Sequence, residues 1–271
     1  MYTGLMSIFF KEKPGNLNES FTSILNQTLL PNEMVLIKDG VFGDELDRVL
    51  KNFVFNCAKK NIPVKIIKHN ISKGLGLSLN EGLRRCSYNY VARFDSDDIN
   101  LTNRMQRTIK AFDIRDDVSV IGTNVEEFNP GNKSIKKKVP LRSNEILKFS
   151  RFRNPMNHMS VTFKKDDVEA VGGYEDVPYF EDYYLWLKML KKSYQFLNLD
   201  DILVSVRVDD DFYHRRGGIQ YVKKECKFQF KIYKEGYISI FRCILNIFFR
   251  GTPRLLPKTI LAFIYKVVRS N

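Results

Sequence analysis

Residues 64–98 read VKIIKHNISKGLGLSLNEGLRRCSYNYVARFDSDD, and this stretch holds the pattern that decides the fold. Val64–Ile67 is a short apolar run of strand length, Leu75–Leu83 a helical stretch, and Tyr90–Phe94 a second apolar run. The same alternation extends towards the N-terminus. Leu5–Phe10 reads as a strand, followed by Leu17, Phe21, Ile24, Leu25 and Thr28 at helical spacing, with Asn16 and Glu19 placed like a capping box. Pro31 ends that helix and Met34–Ile37 is another buried strand. Leu46, Val49, Leu50, Phe53, Val54 and Cys57 form a further helical stripe, with Asp44 as its N-cap. Strands without polar alternation, each followed by a helix, imply a parallel sheet covered on both faces.

Beyond residue 100 the pattern loosens. Val118–Ile121 reads as a strand and Lys133–Lys138 as a solvated loop. Met159–Phe163 and Leu203–Val208 read as added strands, antiparallel ones, and Glu181–Lys191 as a helix rich in aromatics and leucine.

An open parallel sheet binds ligands beyond the carboxyl ends of its strands. The residues there are Lys11-Glu12-Lys13, then Asp39-Gly40, then His69-Asn70 with Lys73-Gly74-Leu75-Gly76, then Asp95-Ser96-Asp97-Asp98. Carboxylates accept from ribose hydroxyls or base N–H groups, and a lysine with glycine amides meets phosphate. Asp95 and Asp97, two apart on a turn, can converge on a divalent cation that prefers hard oxygen ligands. Singly, each motif has a plainer reading: a turn at Asp39-Gly40, a helix entry at Lys73, an acidic cap in which Asp98 ends the loop before the next helix.

Composition narrows the classes. The four cysteines are widely spaced with no metal-binding or disulfide pattern, which points to buried thiols in a reducing compartment. No run reaches the ~20 apolar residues of a membrane span, and MYTGLMSIFF lacks a signal-sequence layout, so the expected location is cytoplasmic. The net charge of +13 is uneven: from Phe212 onward, 13 Lys/Arg face only Glu225 and Glu235, leaving the rest near neutral. A basic tail on a neutral body points to an anionic surface met by the tail.

Taken together, several segments resemble the family 2 glycosyltransferases of GT-A fold, above all bacterial transferases that build O-antigen or capsule repeat units. They are SFTSILNQTLLPNEMVLIKDG (20–40), KGLGLSLNEGLRRC (73–86), YVARFDSDD (90–98) and YFEDYYLWLKM (179–189), within a likeness covering about residues 3–208. The resemblance implies an α/β, GT-A-type (Rossmann-like), mainly parallel sheet flanked by helices, with a C-terminal amphipathic helical tail. It implies a UDP-sugar donor, galactose or glucose, contacted by Phe10, Glu12, Asp39, Lys73, Asp95 and Ser96. Asp95 and Asp97 would hold Mn²⁺ or Mg²⁺, and Asp182 would be the base of an inverting single displacement, with Glu181 positioning beside it. Lys38 departs from the family, which often has a second Asp there, and is expected to modify the nucleoside pocket.

The acceptor side rests on weaker signals. Asn154-Pro155-Met156-Asn157-His158 precedes a strand; His158 either contacts acceptor, orients the base or sits satisfied in the core. Tyr213-His214-Arg215-Arg216-Gly217-Gly218 is a basic loop, with His214 an extra metal ligand and Arg215 and Arg216 facing a diphosphate; a solvated charge run is the alternative. In the tail, Glu235, Ser239, Arg242, Asn246 and Arg250 make one polar stripe on an apolar helix, and Ile260–Val268 is a second such stretch. Such helices suit a headgroup layer, with Phe241, Ile244, Phe248 and Phe249 inserted; packing on the enzyme's own core or on a homodimer partner is the alternative.

The expected division is 1–100 for the nucleotide-sugar half, 101–211 for the acceptor half and 212–271 for the membrane-associating tail. The expected acceptor is a saccharide on polyprenyl diphosphate, at the cytoplasmic face of the bacterial inner membrane, with no nucleic acid. Two other classes compete: a sugar-phosphate nucleotidylyltransferase, disfavoured by the single glycine in FFKEKPGN, and a basic nucleic-acid-binding protein, disfavoured by the absence of a recognised motif.

Overall fold

Along the first strand every residue from Thr3 to Ile8 is buried, yet the side chains serve two different cores. In the computed structural model, which describes residues 1–129, 134–208 and 218–255, nine strands form one sheet. They are β1 (Tyr2–Phe9), β2 (Glu33–Asp39), β3 (Val64–His69), β4 (Tyr90–Arg93), β5 (Ile99–Asn100), β6 (Val118–Phe128), β7 (Ile135–Lys137), β8 (Thr162–Lys164) and β9 (Gln195–Arg207). The α-helices among the described residues are α1 (Pro14–Leu25), α2 (Asp44–Lys59), α3 (Leu75–Leu83), α4 (Arg104–Ile114), α5 (Ser143–Phe149), α6 (Lys165–Glu169), α7 (Glu181–Lys191), α8 (Ile219–Lys234) and α9 (Ile240–Gly251).

Strand side chains alternate faces, and the two cores follow that parity. Leu5, Val35 and Ile37 join Leu79, Leu83, Phe163 and Trp186 on the side of α3 and α7. Met6, Ile8, Met34 and Leu36 join Leu17, Phe21 and Phe53 on the side of α1 and α2. A strand buried on both faces shows no polar alternation, which is why the sequence pattern is continuous there. Helix α3 lies so near the sheet that a Cβ on Gly82 would stand 2.6 Å from both Ile37 and Leu5 side-chain carbons.

The sheet order is β3-β2-β1-β4-β8-β6-β9-β5, with β7 on the edge of β6. The first four strands are parallel. β8 runs antiparallel to both β4 and β6, as expected. β9 differs from expectation: it is far longer, runs parallel to β6, and is antiparallel only to β5.

Several local expectations need correction. The capping box at Asn16 and Glu19 does not form, because α1 starts earlier, with Pro14 in its first turn where a missing N–H costs nothing. Asp44 is inside α2 rather than its cap; with Glu45 and Asp47 it places negative charge at the helix N-terminus. Residues 135–137, expected in a solvated loop, pair with β6. Cys57, Cys86 and Cys243 are buried free thiols.

The described part of the tail is built into the domain. Phe180, Tyr183, Tyr184 and Leu187 of the α7 region pack against Tyr221, Phe228, Ile232 and Cys243 of α8 and α9. Residues 256–271, including the second amphipathic stretch, lie outside the described residues.

Candidate active site

Asp39 ends β2 as a buried carboxylate with four donors. His69 Nδ1 lies at 3.1 Å, Ser72 Oγ at 2.7 Å, and the Lys73 and Gly74 amides at 2.8 and 3.2 Å. Burial alone pushes its carboxyl up, but the bonds from Ser72, Lys73 and His69 outweigh it and hold Asp39 below its ordinary value. Asp39 therefore shapes the glycine loop at the entry to α3. The far side of His69 meets Glu81 at 2.9 Å, and Lys73 Nζ donates to the same Glu81 oxygen at 2.9 Å. Lys38, on the other face of β2, pairs with Asp47 of α2 and lies 4.5 Å from the Phe42 ring centre. Its side chain is thus taken up in packing against Asp47 and Phe42.

Glu12 and Ser96 come together: Ser96 Oγ donates to Glu12 Oε2 at 2.8 Å. Phe10 follows the end of β1, its ring so close to Gly40 that a Cβ there would stand 2.7 Å away. Asp95, Asp97 and Asp98 each place a carboxylate oxygen within 4.8 Å of the others. Burial and neighbouring charge, Glu12 for Asp97 and Asp97 for Asp98, push both carboxyls up. Asp98 Oδ2 is buried with no hydrogen-bond partner. Hard oxygen donors, crowded like charges and an orphaned buried oxygen all fit a divalent cation. Asp98 caps no helix, since α4 begins at Arg104 after Asn103.

Two arginines that sequence reading passed over hold this turn. Arg93, fully buried, pairs with Asp95, and its charge is felt by Asp98, Asp97 and Asp182. Arg207, at the end of β9, donates its main-chain N–H to Asp98 Oδ1 at 2.9 Å and Nε to the Asp97 carbonyl at 3.2 Å, and pairs with Glu19. A charged residue at the end of an otherwise apolar run was the available signal for Arg93. Arg104 supports the turn from below, donating to the Arg93 carbonyl at 2.8 Å and to Asn100.

Asp182 begins α7. Asn154 Nδ2 donates to its Oδ2 at 2.5 Å, and the Tyr183 amide donates to Oδ1 at 2.7 Å. Burial and the charge of Asp182 raise Glu181 to about 7. Tyr179 precedes this helix with φ 75°, a conformation non-glycine residues seldom adopt. Helix α3 approaches α7 at Gly76, where a Cβ would stand 2.9 Å from the Glu175 carbonyl and 3.0 Å from Glu181 Cβ. The glycine of the Lys73–Gly76 motif is thus required by helix contact at the acidic pair.

His158 lies in the core, its Nε2 3.0 Å from the Tyr174 hydroxyl and its ring edge-on to Trp186. Burial, then the Arg93 charge, holds it well below its ordinary value, so it is neutral. Of the alternatives for His158, a core position with a partnered ring nitrogen is the one seen. His214, Arg215 and Arg216 lie outside the described residues. A groove lined by Lys73, Leu77, Asn80, Glu81, Arg84 and Arg85 shares Lys73 and Glu81 with the Asp39–His69 network but none of the acidic turn.

A mainly parallel sheet, an acidic turn at the end of its fourth strand and a facing acidic helix define a glycosyltransferase of GT-A type. Solved structures share the fold: a mannosyltransferase from Pyrobaculum calidifontis in complex with GDP-Man and Mn²⁺ has TM-score 0.67 at 15% identity, covering 98% of this chain and 75% of that one. TarS of S. aureus, residues 1–349 in complex with UDP-GlcNAc, has TM-score 0.63 at 13% identity, covering 86% and 66%. The chain belongs to glycosyl transferase family 2, whose family model matches residues 6–166. It is 40% identical to the Escherichia coli UDP-Gal:alpha-D-GlcNAc-diphosphoundecaprenol beta-1,3-galactosyltransferase, over 98% of this chain and 96% of the relative. It is 36% identical to the amylovoran biosynthesis glycosyltransferase AmsE of Erwinia amylovora, over the full length of both. Family membership decides for glycosyl transfer against the nucleotidylyltransferase reading.

Proposed function

We propose that the chain transfers galactose from UDP-galactose, with inversion, to N-acetylglucosamine carried on a polyprenyl diphosphate, in assembly of a bacterial surface polysaccharide. The observations that support this mechanism are the convergence of Asp95, Asp97 and Asp98, whose carboxylate oxygens lie within 4.8 Å of one another, and the Asp182 carboxylate held by Asn154 at 2.5 Å. The substrates follow the likeness to the E. coli galactosyltransferase, which runs nearly end to end.

In this reading Glu12, Ser96 and Asp39 hold the nucleoside beside Phe10, and Lys73 faces the phosphates. Asp95, Asp97 and Asp98 would hold Mn²⁺ or Mg²⁺, which when bound offsets charge on the departing diphosphate. Asp182 takes the proton from the acceptor hydroxyl as it attacks the anomeric carbon, while Asn154 orients the carboxylate. Glu181 sits next to it as a positioning group. A single displacement needs no covalent nucleophile, so the product is inverted. The enzyme works at the cytoplasmic face of the inner membrane as a peripheral protein, where its lipid-linked acceptor resides.

The test is a panel of nucleotide sugars scored by nucleotide release with a synthetic N-acetylglucosamine–diphosphate–lipid, followed by NMR of the new linkage. UDP-galactose should be turned over fastest, giving a β-linked product. An α-linkage from the same donor would overturn the single displacement, and preference for another donor would overturn the substrate.

A further inference from the structure

Helix α9 is mounted with its polar side inward. Asn246, buried, donates Nδ2 to the Arg151 carbonyl at 2.9 Å and to Gln229 Oε1 at 3.0 Å. Arg250 donates Nη1 to the Phe152 carbonyl at 2.8 Å, and its Nε meets Glu225, which is fully buried, at 3.1 Å. Arg242 lies over the Phe152 ring at 3.7 Å. The polar stripe of the helix is therefore used up in attaching it to the body.

What remains outside is apolar. Phe241 is 67% exposed, Ile244 58%, Phe248 61% and Phe249 68%, spaced to form one face of the helix. No helix among the described residues is long and apolar enough to cross a membrane. An ordinary surface helix faces its apolar stripe to the core, whereas α9 packs only Cys243 and Ile247 there and leaves its phenylalanines outside.

The segment that carries this face is left with charge of one sign. The only two acids after Phe212 are both neutralised internally: Glu225 by Arg250, and Glu235 by Lys231 at 2.8 Å with a bond from the Tyr184 hydroxyl at 2.6 Å. Lys223, Lys224, Lys227 and Lys234 of α8 are exposed. No uncompensated acid of this segment opposes an anionic surface.

We propose that the outward face of α9 docks onto an anionic lipid leaflet, its rings entering the acyl boundary while the α8 lysines meet headgroup phosphates. This deepens the reading of a lipid-linked acceptor, and it names which side of the enzyme faces the bilayer. Insertion of aromatic and aliphatic groups supplies a salt-resistant component, and the lysines a component that salt screens. Because α8 and α9 pack directly on α7, docking at this face orients the helix that bears Asp182 relative to the membrane.

The test compares the full chain with the full-length triple variant Phe241→Ser, Phe248→Ser, Phe249→Ser. Both are sedimented with vesicles of phosphatidylethanolamine and phosphatidylglycerol and with phosphatidylcholine vesicles. Each ring is worth roughly a tenfold change in partition, so the variant should bind the anionic vesicles about 100-fold or more weakly. Its melting temperature and its activity on a short-chain, water-soluble acceptor should match the parent. Equal vesicle binding by both proteins overturns the proposal. So does a variant that melts well below the parent, because the face would then be covered by the protein's own chain or a second copy. Failure of both proteins on every diphosphate-lipid acceptor would overturn the functional reading instead, and the vesicle comparison would still decide the docking face.

Discussion

Asn154 Nδ2 stands 2.5 Å from Asp182 Oδ2, joining residues 28 apart in sequence. The Asn154 amide cannot turn freely, because its Oδ1 accepts the Met156 N–H at 3.2 Å. One carboxylate oxygen is thereby aimed by a turn and the other by its own helix. Asp182→Asn should lower kcat by about 10²–10⁴-fold, the range for losing a general base, with UDP affinity unchanged. Asn154→Ala should lower kcat by about 10–100-fold through misplacement, with the donor KM preserved. Wild-type kcat in Asn154→Ala would remove Asn154 from the positioning of Asp182.

The acidic turn makes a metal-linked proton release measurable. Asp97 and Asp98 are pushed up by burial and by neighbouring carboxylates, and they must lose protons to take up a cation. Mn²⁺ binding should release protons, and affinity should weaken as pH falls. Calorimetry in buffers of different ionisation enthalpy reads the release directly. EDTA should abolish transfer reversibly, and Asp97→Asn should do so irreversibly; full activity in EDTA would remove the metal from the account.

Glu181 predicts a pH-dependent stability. Burial, then the charge of Asp182, raises it to about 7 from an ordinary 4.5, so the folded protein holds a proton that the unfolded chain has released. Its contribution is fully present below the unfolded value and is lost as pH rises through the folded one. Urea midpoints of the wild type should therefore fall between these values, and Glu181→Gln should flatten that slope. Parallel curves for the two proteins would refute the shift.

Gly76 and Gly15 give a matched pair. A Cβ on Gly76 meets a backbone carbonyl and Glu181, whereas one on Gly15 meets nothing within 4 Å. Gly76→Ala should destabilise by about 1–3 kcal/mol and depress kcat by shifting α7. Gly15→Ala, in the first turn of α1, should be neutral or stabilising by up to about 1 kcal/mol. Thermal melts with steady-state kinetics check both, and equal melts would show that α3 and α7 have room to adjust.

The alternation of strand and helix, the carboxylates at strand ends and the bounds Leu75–Leu83 and Glu181–Lys191 were legible in the sequence. Each depends on local periodicity and on where a run of apolar residues stops, and both are properties of neighbouring residues. The apolar run Leu5–Phe10 could be read as a strand covered on both sides without knowing what covered it, and the strand itself lies a little earlier, at Tyr2–Phe9. Three-dimensional packing alone decided that Arg207 would return to grip the Asp97–Asp98 turn and that Asn154 would bond Asp182. These contacts join segments tens of residues apart, and no periodicity encodes a pairing between them. The tail makes the same point physically. Its stripe of Arg242, Asn246 and Arg250 marks two faces of a helix, but amphipathicity is symmetrical about which face meets the protein. Gln229 and Glu225, buried where a lost hydrogen bond would be costly, together with the Arg151 carbonyl, turned the polar face inward and left the phenylalanines outside.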